Sequence, residues 1–368
     1  MKVVHLLWSL EFGGIERLVL DLADVQREQG LDVAVLAGRA RGRMAPLFAK
    51  AGIPVLDAGL RSGFDLGLSR REAIGACLAK ADIVHVHSFN PALARFAKRA
   101  RRPIVYTEHG NFGFGRRGTV RDRIKRSMLR RFLRNHVLHV TWNSRFTRDV
   151  ARRLYGEPAA GTVILNGVRL DRIAEDASGA AVAFSWKSER RFVVATVSRL
   201  AGFKRIDRLI RAFARAFKRG EAGLAIVGDG PLRPELEVLA RDLGVSEDVL
   251  FTGYRENPGD FMASADVCVF PSAGEPFGIV AVEALALGRP VVVMRDGGGL
   301  VEIIEPLSPE DVVADEQDLA RRLVEYRAAW ESGTLQEPAQ VERRRARARD
   351  FDIRAMADTF AGIYAACL

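Results

Sequence analysis

The stretch GEPFGIVAVEALALGRPVVV, residues 274–293, sets a helix-length run of apolar and small residues directly before a run of valines. From Gly278 to Leu287 the run is apolar on every side except at Glu283, so it reads as a buried helix. The PVVVM that follows is β-branched with no polar alternation, the pattern of a strand covered on both faces. A buried helix leading straight into a buried strand is a piece of a doubly wound α/β sheet. Glu283 then needs a cause, because a carboxylate in an apolar helix is costly unless something bonds it. An internal ion pair or a loop amide would satisfy it; so would the hydroxyls of a bound polyol.

The same rhythm extends in both directions. VVHLLW (3–8), DVAVLA (32–37), DIVHVH (82–87), PIVYTEH (103–109), HVLHVTW (136–142) and GTVIL (161–165) read as buried strands separated by helix-like segments. After residue 190 it restarts with FVVATVS, GLAIVGDG, VLFTG, ADVCVFPS and PVVVM. IAEDASGAAVAFSWKSER, small and polar without periodicity, reads as the linker. The expectation is two Rossmann-like, doubly wound domains facing a central cleft, residues 1–175 and 190–349, with a last helix in 350–368.

The bulk numbers agree with that division. At 368 residues the chain suits two domains of ordinary size. Three separated cysteines, Cys77, Cys268 and Cys367, argue against a disulfide framework or a zinc site and fit a reducing, cytoplasmic setting. No apolar run approaches a membrane span, and MKVVHLLWSLEFGG lacks the features of an export signal. Residues 1–170 hold 30 Lys+Arg against 14 Asp+Glu, whereas the rest hold 26 against 32, so the net charge of +10 resides in the first half. Such a field draws anionic partners toward that half.

Ligands of open α/β sheets bind beyond the carboxyl ends of strands. Glu275 falls there, after ADVCVFPS. Between Glu275 and Glu283 the first-turn amides of Gly278, Ile279 and Val280 lack helical partners and offer an anion site. After FVVATVS the loop RLAGFK brings Arg199 and Lys204, counter-charges of the kind a diphosphate requires.

Taken in order, GGIERLVLDLA, TEHG, LNGVRLD, SRLAGFKRIDRLI, AIVGDGPLRPELE, VLFTGY, ADVCVFPS and EPFGIVAVEALALGRPVVV resemble segments of family 4 of the retaining GT-B glycosyltransferases, over nearly the whole chain. By that resemblance the donor is a nucleoside diphosphate sugar, UDP before GDP, held mainly by the second domain. Glu283 would hold the ribose hydroxyls and Arg199 with Lys204 the diphosphate. Glu275 with the amides of Phe277 and Gly278 would hold the donor sugar, while the amides of Ile279 and Val280 reach the phosphate. The Gly13-Gly14 turn would approach the diphosphate, and His109 of TEHG would hydrogen-bond the sugar near the reacting carbon. His85 and His87 read as core or cleft-lining residues. The resemblance implies transfer to an acceptor hydroxyl with retention, no metal and no cofactor. Asp350-Phe351-Asp352 is the only D-x-D and reads as the start of the last helix, which in such enzymes crosses back to the first domain. After GGGLVEII, the segment EPLSPEDVVADEQ is shorter than the family pattern.

One segment points to the acceptor. Residues 116–134, RRGTVRDRIKRSMLRRFLR, carry nine Lys/Arg and one acid. Val120, Ile124, Met128 and Phe132, with Leu129 and Leu133, form one apolar stripe flanked by cations. Packing on its own domain accounts for such a stripe; so does an anionic membrane surface at the inner face, with a saccharide or lipid-linked acceptor of the polysaccharide, lipopolysaccharide or glycolipid kind. A sugar-nucleotide epimerase on the same fold and a non-enzymatic anionic-surface or nucleic-acid binder are the alternatives. Nothing in the segment resembles a nucleic-acid readout module, so no nucleic acid is expected.

Overall fold

The computed structural model describes residues 1–11, 13–65, 70–110, 120–176 and 191–368. The chain divides into two compact units, Met1–Val168 with Ile353–Leu368, and Arg169–Asp352. The region read as the linker falls largely outside the described residues, as do residues 116–119 of the basic segment.

The first unit is built on β1 (Lys2–Ser9), β2 (Asp32–Arg39), β3 (Val55–Asp57), β4 (Ile83–Val86), β5 (Ile104–Glu108), β6 (His139–Trp142) and β7 (Gly161–Val163), all parallel, in the order β3-β2-β1-β4-β5-β6-β7. Parallel neighbours need crossover connections, and the helices that supply them cover both faces. That is why β4 and β5 are buried along their whole length and read as unbroken apolar runs. On one face Leu18, Leu22 and Val25 of the helix Gly14–Glu28 pack with Met356, Phe360 and Tyr364 of the helix Ile353–Ala366. Burying each of those aromatic rings contributes about 2–3 kcal/mol. Gly167 lets the last helix begin there, since a Cβ on it would lie 2.5 Å from Ile353 Cα, and Ile353 N donates to Val168 O at 3.1 Å. Leu93, Phe96, Leu129 and Phe132 fill the other face.

The second unit holds β8 (Phe192–Val197), β9 (Ala222–Val227), β10 (Val249–Gly253), β11 (Val267–Phe270), β12 (Val291–Met294) and β13 (Val312–Val313), again all parallel, in the order β10-β9-β8-β11-β12-β13. The strand order reverses between β8 and β11. The loops leaving their carboxyl ends are the ones expected to carry a ligand.

Eleven of these strands coincide with the apolar runs read from sequence. The other two, β3 and β13, are edge strands of three and two residues, too short for a periodic signal. The helix at Glu283 is Ile279–Ala286, and Glu283 is half-buried on it and not without a partner, in keeping with the requirement that something bond it. Asp350-Phe351-Asp352 forms the turn between the helices Pro338–Arg349 and Ile353–Ala366, with Asp350 paired to Arg347 at 2.8 Å and the Phe351 ring against Phe277.

Candidate active site

At the end of β8 the chain passes Ser198 and Arg199 and makes a tight turn over Gly202–Lys204, closed by the Lys204 amide donating to Ala201 O at 2.9 Å. Two glycines outside the turn hold this loop in place. A Cβ on Gly228 would lie 2.0 Å from Ser198 O, and one on Gly230 would lie 2.4 Å from Leu200 O. The Gly-x-Gly of AIVGDGP is therefore a packing requirement of the Arg199 loop. The next residue, Arg205, is left-handed at φ 49°; the strain, about 1 kcal/mol for a non-glycine residue, is offset by a forked pair with Asp207, 3.1 Å from both Nε and Nη2.

The β11 loop is tied to this one. Ala273 N donates to Phe203 O at 2.7 Å, and Gly274 N to Asp296 O at 2.7 Å. Glu275 N reaches Gly297 O at 3.2 Å, while Gly299 N donates to Glu275 O at 2.8 Å. The Asp296 carboxylate in turn accepts from Arg208 at 2.8 and 2.9 Å. Three loops, after β8, β11 and β12, thus form one bonded frame. Gly278 caps the Ile279–Ala286 helix at φ 100°, where a side chain would be strained and its Cβ would lie 2.2 Å from Leu300 Cδ2.

Within the frame Lys204 Nζ donates to Glu275 Oε2 at 2.6 Å, with the two side chains 16% and 13% exposed. By resemblance these two residues have separate tasks, and nothing in the sequence shows their direct pairing. Lys204 has three donors and Glu275 uses one, so the ammonium keeps two for an incoming anion. The Thr196 and Ser198 hydroxyls line the same recess as Lys204, Glu275 and Val280, and neither bonds any described residue. Neither hydroxyl is singled out by the sequence, although both stand in FVVATVS directly before Arg199. Phe277 is buried, Ile279 and Val280 are half-buried on the first helical turn, and Arg199 is exposed on its loop.

In the first unit Gly13 is extended and caps the helix that starts at Gly14; a Cβ on Gly14 would meet nothing within 4 Å. His109, at the end of β5, is buried with Nδ1 bonded to no described residue. Its Nε2 lies 3.2 Å from His87 Nδ1. His87 Nε2 lies 2.8 Å from His5 Nδ1, and His5 Nε2 lies 2.8 Å from Gln26 Oε1. Asn143 Oδ1 and Asn166 Oδ1, beyond the ends of β6 and β7, also lack partners among the described residues. Burial holds His109 down at about 3 and His5 at about 4, and depresses His85 and His87 well below the ordinary imidazole value.

These depressions set an acid limit. Each folded value lies below the unfolded value of about 6.5, so the unfolded chain takes the proton first and stability falls as pH drops from 6.5 toward the folded values. At pH 5, His5 and His109 together remove roughly 4 kcal/mol. The urea midpoint is expected to drop sharply between pH 7.5 and pH 5; an unchanged midpoint would show that these imidazoles are not buried neutral.

Two parallel Rossmann-like sheets of this topology define the GT-B class, and the chain aligns over its full length with the crystal structure of Anabaena HepE in complex with UDP-glucose, at a TM-score of 0.80 and 24% identity, all of both chains being covered. The family described as Glycosyltransferase Family 4 matches residues 12–172, and that described as Glycosyl transferases group 1 matches residues 191–327. The chain belongs to the family 4 glycosyltransferases. It is 37% identical over 227 residues to the GDP-mannose-dependent alpha-(1-6)-phosphatidylinositol monomannoside mannosyltransferase of Mycolicibacterium smegmatis, 58% of each chain. It is 49% identical over 113 residues to an uncharacterized glycosyltransferase of Methanocaldococcus jannaschii, 30% of this chain and 28% of that protein. The matches thus span less than two thirds of either relative.

Proposed function

We propose that the protein is a retaining glycosyltransferase that moves a sugar from a nucleoside diphosphate sugar to an acceptor hydroxyl. The observation that carries this reading is the Lys204–Glu275 pair at the switch point of the second sheet, beside two hydroxyls that bond no described residue and the start of the Ile279–Ala286 helix. An ammonium with spare donors, Arg199 on the same loop and the amides that start the helix suit the charge that grows on a departing diphosphate. Glu275 retains an acceptor oxygen for sugar hydroxyls, and Glu283 is assigned the ribose. No side chain is assigned as nucleophile; the leaving phosphate oxygen takes the acceptor proton on the same face. Gly13-Gly14 is assigned to the diphosphate and His109 to a sugar hydroxyl. UDP is placed first among bases and GDP second. The relatives' names divide between them, HepE being described with UDP-glucose and the mycobacterial enzyme with GDP-mannose. Thermal shift against UDP, GDP, ADP and dTDP tests the donor: one diphosphate is expected to raise Tm well above the others, and no shift with any would overturn the reading. Incubation with donor alone separates transfer from epimerisation.

The acceptor is placed at an anionic membrane surface. Phe132 and Leu129 of the helix Val120–His136 are buried in the first unit's core, so that end of the apolar stripe packs at home. Ile124 and Met128, on the preceding turns, are 53% and 37% exposed among Arg123, Lys125 and Arg131. Two exposed apolar side chains ringed by cations suit shallow insertion among anionic headgroups, each cation contributing roughly 1 kcal/mol. No helix among the described residues is long and apolar enough to cross a membrane. Flotation with anionic vesicles at low salt is expected to recover the protein, and Ile124→Ser with Met128→Ser to reduce recovery severalfold. Absence of binding by the unaltered protein would remove the membrane assignment. The mycobacterial relative is named for a lipid-linked acceptor, which supports the same placement.

A further inference from the structure

The chain Gln26–His5–His87–His109 contains three imidazoles, each with two chemically distinct nitrogens, joined end to end by hydrogen bonds at 2.8, 2.8 and 3.2 Å. In a neutral imidazole one nitrogen donates and the other accepts. Fixing the role at one end therefore fixes every role along the chain. The end that sets them is Gln26, whose side chain is fully buried on the helix Gly14–Glu28. Its Nε2 donates to the Tyr364 hydroxyl at 3.3 Å, which turns Oε1 toward His5. A carbonyl oxygen only accepts, so His5 carries its proton on Nε2 and offers Nδ1 as an acceptor. His87 must then donate from Nε2 and accept at Nδ1, and His109 must donate from Nε2. What remains is the His109 Nδ1 lone pair, buried and unused by any described residue.

We propose that Gln26 is a positioning residue that acts through His5 and His87 to hold His109 as a hydrogen-bond acceptor at Nδ1, so that His109 selects a ligand hydroxyl and not a carbonyl or ether oxygen. Only the identity of that hydroxyl, on a transferable sugar, rests on the function proposed above. A second branch leaves the same anchor: the Tyr364 hydroxyl lies 2.7 Å from His85 Nδ1, and His85 Nε2 lies 2.7 Å from Thr107 Oγ1, which meets Thr141 Oγ1 at 2.7 Å. In either direction this branch is satisfied by a neutral His85, so no imidazole needs two protons. Burial that disfavours the cation at all four histidines keeps the pattern intact at neutral pH. The three nitrogens of His5, His85 and His87 that approach one another are also close enough to surround a cation, but each already serves in one of these bonds.

Two-bond 15N–1H correlation of histidine-labelled protein reads each tautomer directly, with His109→Asn supplying the assignment. The expected result in the ligand-free protein is a pyridine-type Nδ1 and a pyrrole-type Nε2 at His109; a protonated Nδ1 would overturn the proposal. Gln26→Met, near in shape but without an amide, is expected to give His109 a mixed-tautomer signature and to raise donor KM roughly fivefold to tenfold, the loss of one neutral hydrogen bond, with kcat less affected. A single unchanged tautomer in that variant would show that Gln26 does not set it. Should Gln26→Met fail to fold, the unsubstituted protein still gives the decisive pattern. Because the spectrum needs no donor, failure to bind any nucleotide sugar would count against the function and leave the tautomer assignment to be judged separately.

Discussion

Lys204→Ala is expected to lower transfer by about 10²- to 10³-fold, the range for removing one donor aimed at charge that develops in a transition state, while the protein stays folded. The geometry makes the loss twofold in origin. Removing the ammonium takes away the cation assigned to the diphosphate, and it leaves the Glu275 carboxylate, until then 2.6 Å from Nζ, facing an incoming anion. Glu275→Ala should fall similarly for a different reason, since it frees Lys204 to shift and removes the acceptor assigned to sugar hydroxyls. Both side chains retain some exposure, so the stability cost of either change should be near 1 kcal/mol. Circular dichroism with steady-state transfer separates the effects. Turnover like that of the unsubstituted enzyme in both purified variants would remove the site assignment.

Gly299→Ala should be more damaging to the fold than either change at the Lys204–Glu275 pair. Its Cβ would lie 2.5 Å from Pro276 O, 2.7 Å from Phe277 Cα and 2.9 Å from Pro276 C, all backbone atoms that cannot swing aside. The strand-like pairing of Glu275 with the Gly297-Gly298-Gly299 turn would have to break, and with it the bond from Gly299 N to Glu275 O. A loss of about 3 kcal/mol, with disappearance of transfer, is expected. Gly259→Ala is the control. Gly259 lies in the helix Pro258–Ser264 with nothing within 4 Å of its Cβ position, so alanine there should stabilise by about 0.5–1 kcal/mol. A denaturant midpoint for Gly299→Ala equal to that of Gly259→Ala would mean that the triple-glycine turn does not hold the Glu275 loop.

The continuous apolar runs disclosed most strands because parallel strands covered on both faces need apolar residues throughout, and the elements missed, Val55–Asp57 and Val312–Val313, were too short for that rule to act. The loops were legible by position, since Arg199, Lys204 and Glu275 directly follow buried strands. Their mutual arrangement was not, because the ion pair joins residues 71 positions apart and depends on backbone bonds among three loops. The run around Glu283 was legible as a helix but not the extent of its burial, since Ile279, Val280, Glu283 and Ala286 are only half-buried. His85 and His87 could be read as core residues, yet nothing in DIVHVH shows that a glutamine on the first helix orders their protons.

A crystal structure with the tightest-binding nucleoside diphosphate tests the central claim most directly. Phosphate oxygens are expected within hydrogen-bond distance of Lys204 Nζ and of the Ile279 or Val280 amide, with ribose hydroxyls on Glu283. A diphosphate bound elsewhere, with the Lys204 and Glu275 side chains still closing the recess between themselves, would contradict it.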